Sequence, residues 1–429
     1  MTNISNRTAL EIIILVCIIV SAFYLIHTPF SERCYDCQIH TTYAEIMVKK
    51  HHYPHPYEGG PVYHHPPLYY LIASFISPQS IMTDSKNHIN YVLALSIVYG
   101  AIALLTIAFF LKQFNQSPFL RMLIVLFIAT TPKFIIIFTS YNPDSLAVLL
   151  AISLLVISYE LSKKWSSKLA RLLLIVSVAG LYTKFNVGIA IISVIVTYLY
   201  ASYYKKKKDN VVVLANGKII TILIFSFVLL FPWLYFHNYL LVGKLMPLDM
   251  EYAFPRQFGL SEIIHGLEKV IRIPFLQLPS EVWSDPWVHT ASSPLTKTTD
   301  YWVYMWINSV IGACIFYTPG IKVVWVMLIA HLVAYLIAIK EIFKSNITKM
   351  VGLMLLVTHV LHIAFVIYSP IGQNMEHRYV AWTWIYWAVL YASVLSDVKS
   401  LKAKILKVAL ITGIVINIYV DLVVTGVMA

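Results

Sequence analysis

Apolar residues follow one another in long runs, nearly free of charge, from Leu10 to the end of this 429-residue chain. Each run has about the 20 residues that an α-helix needs to cross a hydrocarbon core roughly 30 Å thick. A single signal peptide does not account for so many runs. The pattern therefore predicts an all-α polytopic membrane protein with about eleven transmembrane helices. We expect these helices near residues 9–28, 91–111, 120–139, 145–161, 171–184, 186–204, 219–241, 321–339, 350–369, 380–396 and 407–426.

Four clusters of basic residues lie in short loops between the apolar runs. Cytoplasmic loops are enriched in lysine and arginine, so we place these clusters in the cytoplasm together with Arg7. Two long segments, 28–90 and 242–320, then lie outside, within a single integral membrane domain of residues 1–429. The basic clusters are Lys163, Lys164, Lys168 and Arg171; Lys205, Lys206, Lys207, Lys208 and Lys218; Lys340, Lys344 and Lys349; and Lys399, Lys402, Lys404 and Lys407.

Two shorter apolar stretches, 68–76 and 301–317, are predicted not to cross the membrane. A crossing by either stretch would reverse the side of every later loop. If both crossed, the basic clusters at 163–171 and 205–208 would face outward, against the positive-inside preference. The tyrosine and tryptophan residues of both stretches suit the aromatic belt of the interface. We therefore expect one interfacial helix in each of the two outer segments.

Composition excludes an ordinary soluble enzyme. Hydrophobic residues make up 59% of the chain and charged residues 12%, against roughly 25% charged residues in soluble domains. A net charge of +12 would suggest nucleic acid as the partner of a soluble protein. Here the basic residues fall into positive-inside loops. We therefore expect membrane lipids, and not nucleic acid, as partners.

The first outer segment contains an ordered pattern, which runs SERCYDCQIHTTYAEIMVKKHHYPHPYEGGPVYHHPPLYYLI. A carboxylate just past the first membrane helix is followed by a short amphipathic segment, a Gly/Pro turn and an apolar helix. This pattern resembles the membrane glycosyltransferases of the GT-C superfamily, especially the branch of protein O-mannosyltransferases and aminoarabinose transferases. The resemblance implies a GT-C-like helix bundle in a bacterial inner membrane. It also implies transfer of a sugar from a polyprenyl-phosphate donor to a lipid, glycan or protein acceptor, in an active site that faces the periplasm or exterior.

The resemblance implies the site residues as well. Asp36 falls at the family's catalytic carboxylate, although the family often has Asp-Glu where this chain has Asp36 and Cys37. HHPPLYY falls where the family commonly has a basic residue before Pro-Pro-Leu, and SYNPDSLAVLLA resembles its second outer loop. GLYTKFNVGIA and NMEHRYVAWTW resemble its later Lys-containing and Arg-Tyr segments. The predicted catalytic residues are Asp36 and Asp144, and the predicted substrate-binding residues are His64, His65, Tyr69, Lys184, Glu376, Arg378 and Tyr379.

The residue types fit this chemistry independently of the family. Attack at a sugar C1 needs a carboxylate to accept a proton and cations to stabilise the phosphate that leaves. Asp36 is suited to be the base, and direct displacement with one base inverts C1. Lys184 and Arg378 lie at the outer ends of predicted helices, where a cation can bind a lipid phosphate. Lys133, inside a predicted helix, is a weaker candidate for the same role.

Each of these residues also has a simpler interpretation. Asp36 and Asp144 stand next to predicted helix starts, where an aspartate commonly caps the helix. Lys184 and Arg378 can extend to the lipid headgroups without binding any substrate. His65 can donate a hydrogen bond to phosphate or sugar in place of the usual basic residue.

Cysteine and histidine residues crowd the same outer segment. Cys34 and Cys37 favour a disulfide in an oxidising compartment, with two free thiols as the next alternative and a redox site as the least favoured. Glu45 or Asp36 with two histidines would suit a divalent metal such as zinc. The spacing matches no known metal motif, so a divalent metal stays an open alternative and no residue is assigned to it. The histidines are His40, His51, His52, His55, His64 and His65.

Two other functions compete with glycosyl transfer. A transporter or lipid flippase would also need many helices and charged residues within the membrane. Transporters usually have inverted repeats and polar or broken helices near the membrane midplane, whereas the polar residues of this chain gather in its outer segments. A ligase or polymerase that moves a whole glycan block shares the donor chemistry. The sequence favours the glycosyltransferase.

Overall fold

The computed structural model describes residues 4–30, 36–55, 58, 62–76, 85–114, 116–205, 210–240, 264, 267–268, 301–310, 321–368 and 376–424. Every regular element in these ranges is a helix, as the apolar runs predict. The α-helices are Asn6–His27, Cys37–Lys50, Leu68–Ile76, Ser85–Leu111, Pro118–Ala129, Pro132–Thr139, Asp144–Lys163, Ser167–Thr183, Val187–Lys205, Asn210–Pro232, Tyr301–Val310, Ile321–Ile339, Asn346–Tyr368, Trp384–Leu395 and Leu401–Tyr419. Lys112–Phe114 and His377–Thr383 are 3₁₀-helices, and Trp233–Tyr239 and Val420–Val424 are π-helices.

Seven single helices in the described part of the chain are long and apolar enough to cross a membrane, and a bent pair would be an eighth. The other three of the predicted crossings are helical but shorter. They correspond to Ser167–Thr183, Val187–Lys205 and Trp384–Leu395. The last has 12 residues, which rise only about 18 Å, because the chain before it forms a 3₁₀-helix.

Serine residues begin four of the helices. The Ser5 side chain accepts a hydrogen bond from the Thr8 amide, and Ser117, Ser166 and Ser400 bond in the same way to the amide three residues on. The first amides of a helix have no partner within the helix, so a serine oxygen at this position stabilises its start. The sequence thus carries local signals for these boundaries.

The bent pair lies where the sequence predicts one helix at 120–139. Pro118–Ala129 and Pro132–Thr139 meet at an angle of 67°. Proline has no amide hydrogen to continue the backbone ladder. The Thr130 and Thr131 hydroxyls donate to the carbonyls of Leu126 and Phe127, at 2.9 and 2.8 Å. The predicted uninterrupted helix is therefore broken, and Lys133 lies in the first turn of a separate short helix that begins at Pro132.

The chain divides into two compact units. The first unit comprises Met1–Cys34, Gly100–Thr139 and Gly259–Ala429. In it, Asn6–His27 packs against Pro118–Ala129, and Ile321–Ile339 packs against Leu401–Tyr419. Its buried residues are mostly aliphatic and aromatic, as expected for contacts between membrane helices.

The second unit comprises Tyr35–Tyr99 and Ser140–Phe258. Its Asp144–Lys163 helix packs against Ser167–Thr183, and the helices Cys37–Lys50 and Leu68–Ile76 pack against each other. Tyr43 and Tyr70 stack at that contact with ring centroids 3.8 Å apart. The stacked rings hold the N-terminal part of Cys37–Lys50, next to Asp36, against its neighbour.

The predicted interfacial helices are short helices in the structure. Leu68–Ile76 has nine residues and Tyr301–Val310 has ten, so each rises about 14–15 Å, half of a hydrocarbon core. Residues 311–317 of the second predicted helix lie outside the described residues, as does most of the 242–320 segment. The two outer segments and their sidedness stay predictions.

Candidate active site

Asp36 stands at the start of the Cys37–Lys50 helix but does not cap it. The N-cap position is Asp36, yet its side chain makes no capping hydrogen bond. Instead Asn142 donates from Nδ2 to Asp36 Oδ1 at 3.1 Å, and His40 Nε2 lies 3.4 Å from Oδ2. The Asp36 side chain remains 23% exposed, so the carboxylate is oriented by neighbours and still accessible.

His40 connects Asp36 to two further aromatic residues. His40 Nδ1 lies 2.6 Å from the Tyr70 hydroxyl, which lies 3.4 Å from His65 Nδ1. An ionised carboxylate only accepts hydrogen bonds, so Asp36 favours a hydrogen on His40 Nε2, and Nδ1 is then placed to accept from the Tyr70 hydroxyl. Burial raises the pKa of Tyr70 well above its usual value, which keeps this hydroxyl protonated. The chain of contacts therefore fixes the orientation of His40.

His65 is a neutral imidazole in this environment. Burial lowers its pKa well below the usual value, and the nearby His64, His40 and Lys184 lower it further. Its backbone carbonyl accepts a hydrogen bond from the Tyr43 hydroxyl at 3.1 Å. His65 can thus donate or accept a hydrogen bond, but it does not supply the positive charge that a lysine or arginine would bring to the same position.

Asp144 and Lys184 form a buried ion pair. Lys184 Nζ lies 2.6 Å from Asp144 Oδ1, and the two side chains are 8% and 2% exposed. Asp144 is the first residue of its helix, where a negative charge interacts favourably with the helix dipole. The backbone amide of Asp144 donates a hydrogen bond to Asn142 Oδ1 at 2.9 Å. Asn142 therefore does the capping, and the aspartate is available to bind the lysine.

A tight turn positions Lys184. The Ser167–Thr183 helix ends at Lys184, whose amide donates to the Gly180 carbonyl at 2.9 Å, and the next helix begins at Val187. A Cβ atom on Gly180 would lie 2.7 Å from Val187 Cγ1. Glycine is thus required for the two helices to approach so closely, with Lys184 in the turn between them.

One side chain joins these two parts of the second unit. Asn142 donates to Asp36 with its amide nitrogen and caps Asp144 with its amide oxygen. The residues so connected, which we name the Asp36 cluster, are Asp36, His40, Tyr70, Asn142, Asp144 and Lys184. Reasoning from sequence missed His40, Tyr70 and Asn142 as members. The position of His40 four residues after Asp36 on a predicted helix was the available signal, since such residues share one helix face.

Two other predicted residues lie in the packed part of the second unit. His64 is buried, and its ring lies 4.8 Å from that of His65. Tyr69 is 1% exposed and meets the rings of Tyr70 and Tyr141 edge-on at 5.5 and 5.9 Å. Their roles in substrate binding stay predictions, and the burial of Tyr69 favours a packing role.

The first unit contains a second charged group, the Glu376 cluster of Lys133, Glu376 and Arg378. Glu376 Oε2 lies 3.1 Å from Arg378 Nε and 3.5 Å from Lys133 Nζ. Lys133 and Glu376 are nearly fully buried, whereas the Arg378 side chain is 13% exposed. The Arg378 guanidinium also lies over the ring of Tyr379, 5.4 Å from its centroid. The structure thus brings together Arg378, Glu376 and Tyr379, and adds Lys133.

The neutral groups described next to the Glu376 cluster are the His377 imidazole and the Asn308 amide. Burial lowers the pKa of His377 well below its usual value, and the charge of Lys133 lowers it further. The His377 amide donates to Asn308 Oδ1 at 2.8 Å. Asn308 belongs to the Tyr301–Val310 helix, so this helix helps to hold the 3₁₀-helix that carries Arg378 and Tyr379.

The cysteine and metal predictions have different outcomes. Cys37 is disulfide-bonded, and its partner lies outside the described residues. Glu45, a suggested metal ligand, forms an ion pair with Lys49 at 3.2 Å. Within the described part of the chain, His52, His55 and Glu58 form a group of three possible ligands close enough to hold a metal ion.

Comparison with known proteins identifies the fold. The sequence matches no protein-family model and no curated protein. The solved structure of the Archaeoglobus fulgidus oligosaccharyltransferase in its apo form resembles this chain, with a TM-score of 0.53 and 13% sequence identity. The likeness covers 97% of this chain and 55% of that one, so this chain spans about half the length of that protein.

These observations establish the fold. The chain has a fold similar to that of the Archaeoglobus fulgidus oligosaccharyltransferase structure, and the predicted all-α polytopic fold class is confirmed. Its long apolar helices make it an integral membrane protein.

Proposed function

We propose that the protein is a glycosyltransferase that moves a sugar from a polyprenyl-phosphate donor to a lipid, glycan or protein acceptor. The reaction takes place on the extracytoplasmic face of a bacterial inner membrane. The similarity of the fold to that of an oligosaccharyltransferase supports this class of reaction. The observation that carries the proposal is the state of Asp36, a partly exposed carboxylate that is oriented by Asn142 and His40 and not used to cap its helix.

Asp36 is the base in the proposed reaction. The acceptor oxygen or nitrogen attacks C1 of the sugar and passes its proton to Asp36 as the new bond forms. The C1–O bond to the phosphate breaks, and its electron pair leaves with the polyprenyl phosphate. Because one displacement occurs and no covalent enzyme intermediate forms, the configuration at C1 inverts. Asn142 and His40 hold the carboxylate and support its negative charge before the proton arrives.

Asp144 assists by organising the same cluster. Its ion pair fixes the Lys184 ammonium. Asn142 bonds both the Asp144 amide and Asp36, so the start of the Asp144 helix helps to set the position of the Asp36 carboxylate. An ammonium has three N–H donors, so Lys184 is suited to bridge Asp144 and an anionic or hydroxylated substrate. His64 and His65 contribute hydrogen-bonding groups to the sugar or phosphate, and Tyr69 packs against Tyr70 and Tyr141.

The Glu376 cluster binds the donor phosphate in this proposal. Its two cations outnumber its single carboxylate, and Arg378 is the partly exposed member. A guanidinium can bind phosphate oxygens through two parallel hydrogen bonds. Glu376 holds both cations in place, and the Tyr379 ring supports the guanidinium face.

The test is transfer of a radiolabelled sugar by the purified full-length protein. We would supply polyprenyl-monophosphate sugars and polyprenyl-diphosphate oligosaccharides as two donor sets, with lipid, glycan and peptide acceptors. Release of polyprenyl phosphate together with an inverted product supports the proposal. Movement of intact donor across vesicles without cleavage would favour a flippase and contradict it. Use of the oligosaccharide set alone would favour an enzyme that moves whole glycan blocks.

A further inference from the structure

Three side chains outside the Asp36 cluster converge in the loop after the Cys37–Lys50 helix. His52, His55 and Glu58 each present one ligand atom, and these atoms all lie within 4.8 Å of one another. His52 Nε2 lies 3.7 Å from Glu58 Oε2, and the two histidine rings are 5.3 Å apart. Ligands at the usual zinc distances of a tetrahedral site are about 3.3 Å apart. The observed spacing therefore needs only a small contraction around an ion.

The hydrogen bonding of His52 suits a metal ligand. His52 Nδ1 lies 2.8 Å from the backbone carbonyl of Tyr53. A carbonyl only accepts, so Nδ1 carries a hydrogen, and Nε2, on the side of Glu58, is the ring atom left for a metal ion. Metal-bound histidines almost always donate their second ring N–H in this way, which fixes the tautomer and the ring orientation.

Glu58 makes different contacts with its two carboxylate oxygens. Lys50 Nζ binds Oε1 at 2.7 Å, whereas Oε2 lies 3.7 Å from His52 Nε2 and accepts from the His55 amide at 3.5 Å. The backbone between the ligands is also shaped locally, because the Glu58 amide donates to the His55 carbonyl at 2.9 Å. His51, just before the cluster, has a φ of 58°, which turns the chain out of the helix.

We propose that His52, His55 and Glu58 form a zinc site of the loop, with two imidazoles, one carboxylate and a water molecule as ligands. This ligand set is one that Zn²⁺ accepts in a tetrahedral arrangement. The site is independent of the proposed glycosyl transfer and does not include Asp36 or Glu45.

The zinc site would fix the position of the loop. Tyr53, between the ligands in sequence, meets Trp233 edge-on at 5.2 Å and His237 at 5.9 Å. Both partners belong to the Trp233–Tyr239 π-helix. The proposed ligands stand on both sides of Tyr53 in the sequence, so a bound ion restricts the loop and keeps the Tyr53 ring against the π-helix. Zinc therefore stabilises the loop that follows the helix begun by Asp36.

The test measures zinc directly. Full-length protein is purified with an affinity tag that contains no histidine, loaded with zinc, desalted and assayed by elemental analysis and by competition with a chelator. We expect about one zinc per chain, as for a single three-residue site. His52→Ala, His55→Ala and Glu58→Gln should each weaken zinc binding at least about tenfold. Zinc should raise the thermal unfolding temperature of the wild type and not of these variants.

His51→Asn is the matched control. This substitution removes a neighbouring exposed histidine. Asparagine tolerates the positive φ of position 51. It should keep zinc binding within about twofold of the wild type. Wild-type protein with no zinc, or full zinc binding by a His52→Ala/His55→Ala double variant, would overturn the assignment. Loss of zinc in His51→Asn would overturn it as well, because binding would then depend on something other than the three ligands.

Discussion

The two charged clusters of the protein have opposite balances of charge. The Asp36 cluster in the second unit has two carboxylates and one ammonium, and the histidine beside it, His65, is neutral. The Glu376 cluster in the first unit has two cations and one carboxylate, next to a neutral histidine, His377. Carboxylates thus outnumber the ammonium in the Asp36 cluster, whereas cations outnumber the carboxylate in the Glu376 cluster.

In the proposed reaction the two clusters have separate parts. A carboxylate can accept a proton, whereas cations can stabilise the phosphate that leaves. The more exposed members are Asp36 at 23% and Arg378 at 13%, while Asp144, Lys184, Lys133 and Glu376 are nearly buried. Substitutions that change the charge of the two more exposed members therefore test the comparison directly.

The largest effect should come from Asp36→Asn. Asparagine keeps the shape but removes the negative charge and most of the basicity. Turnover should fall by roughly 10²–10⁴-fold, while donor binding stays nearly unchanged. Single-turnover assays and donor-binding measurements separate the two quantities. Glu11→Gln, at an exposed carboxylate, is the control. Near-normal turnover by a folded Asp36→Asn protein would show that Asp36 is not the base.

Removal of Lys184 should reduce stability strongly. Lys184→Met leaves Asp144 in its buried position without its ammonium partner, at a cost of about 3–5 kcal/mol of unfolding free energy. A Lys184→Met/Asp144→Leu double variant should recover most of the loss. Lys49→Met breaks an exposed pair with Glu45 and should cost less than about 1 kcal/mol. Denaturant titration in detergent measures all three. Equal losses of unfolding free energy in Lys184→Met and Lys49→Met would show that the buried pair stabilises the protein no more than the exposed pair does.

Arg378→Ala should weaken donor binding by roughly 2–5 kcal/mol, because a charge-assisted contact in a desolvated site is lost. Arg378→Lys keeps the charge but not the two parallel donors, so its affinity should be intermediate. Equilibrium binding of a polyprenyl-phosphate sugar measures both, with Arg7→Gln, at an exposed arginine, as the control. Unchanged affinity in Arg378→Ala would remove Arg378 from the phosphate site and direct attention to Lys133.

The smallest effect concerns pH. The folded state lowers the pKa of His65, so below the unfolded value of about 6.5 the unfolded chain binds a proton that folded His65 does not. Proton binding by unfolded His65 therefore lowers the free energy of unfolding of the wild type as pH falls, by at most about 1.4 kcal/mol per pH unit. This contribution vanishes above about pH 7.5, and His65→Gln removes it. The difference in unfolding temperature between the two proteins should therefore change between pH 7.5 and 5, and a constant difference would contradict the neutral assignment.

The helices could be predicted because their signals are local. An apolar run of sufficient length must form a helix in a hydrocarbon core, where each backbone group needs a partner within its own segment. The break at Thr130–Thr131 was missed because the apolar run continues through Pro132, and the angle depends on packing. The helix that follows Asp36 was visible in the sequence as an amphipathic segment before a Gly/Pro turn and an apolar stretch.

The pairing of the charges was decided by tertiary structure alone. Asp36 and Asn142 are 106 residues apart in the chain, and Asp144 and Lys184 are 40 apart. Apolar periodicity specifies which stretches become helices, but not which helix ends meet. That choice depends on contacts such as the close approach of Gly180 and Val187, because helix packing responds to side-chain shape on both partners. Sequence thus determined the membrane helices and the candidate carboxylates, whereas packing determined that Asn142 orients Asp36 and that Lys184 neutralises Asp144.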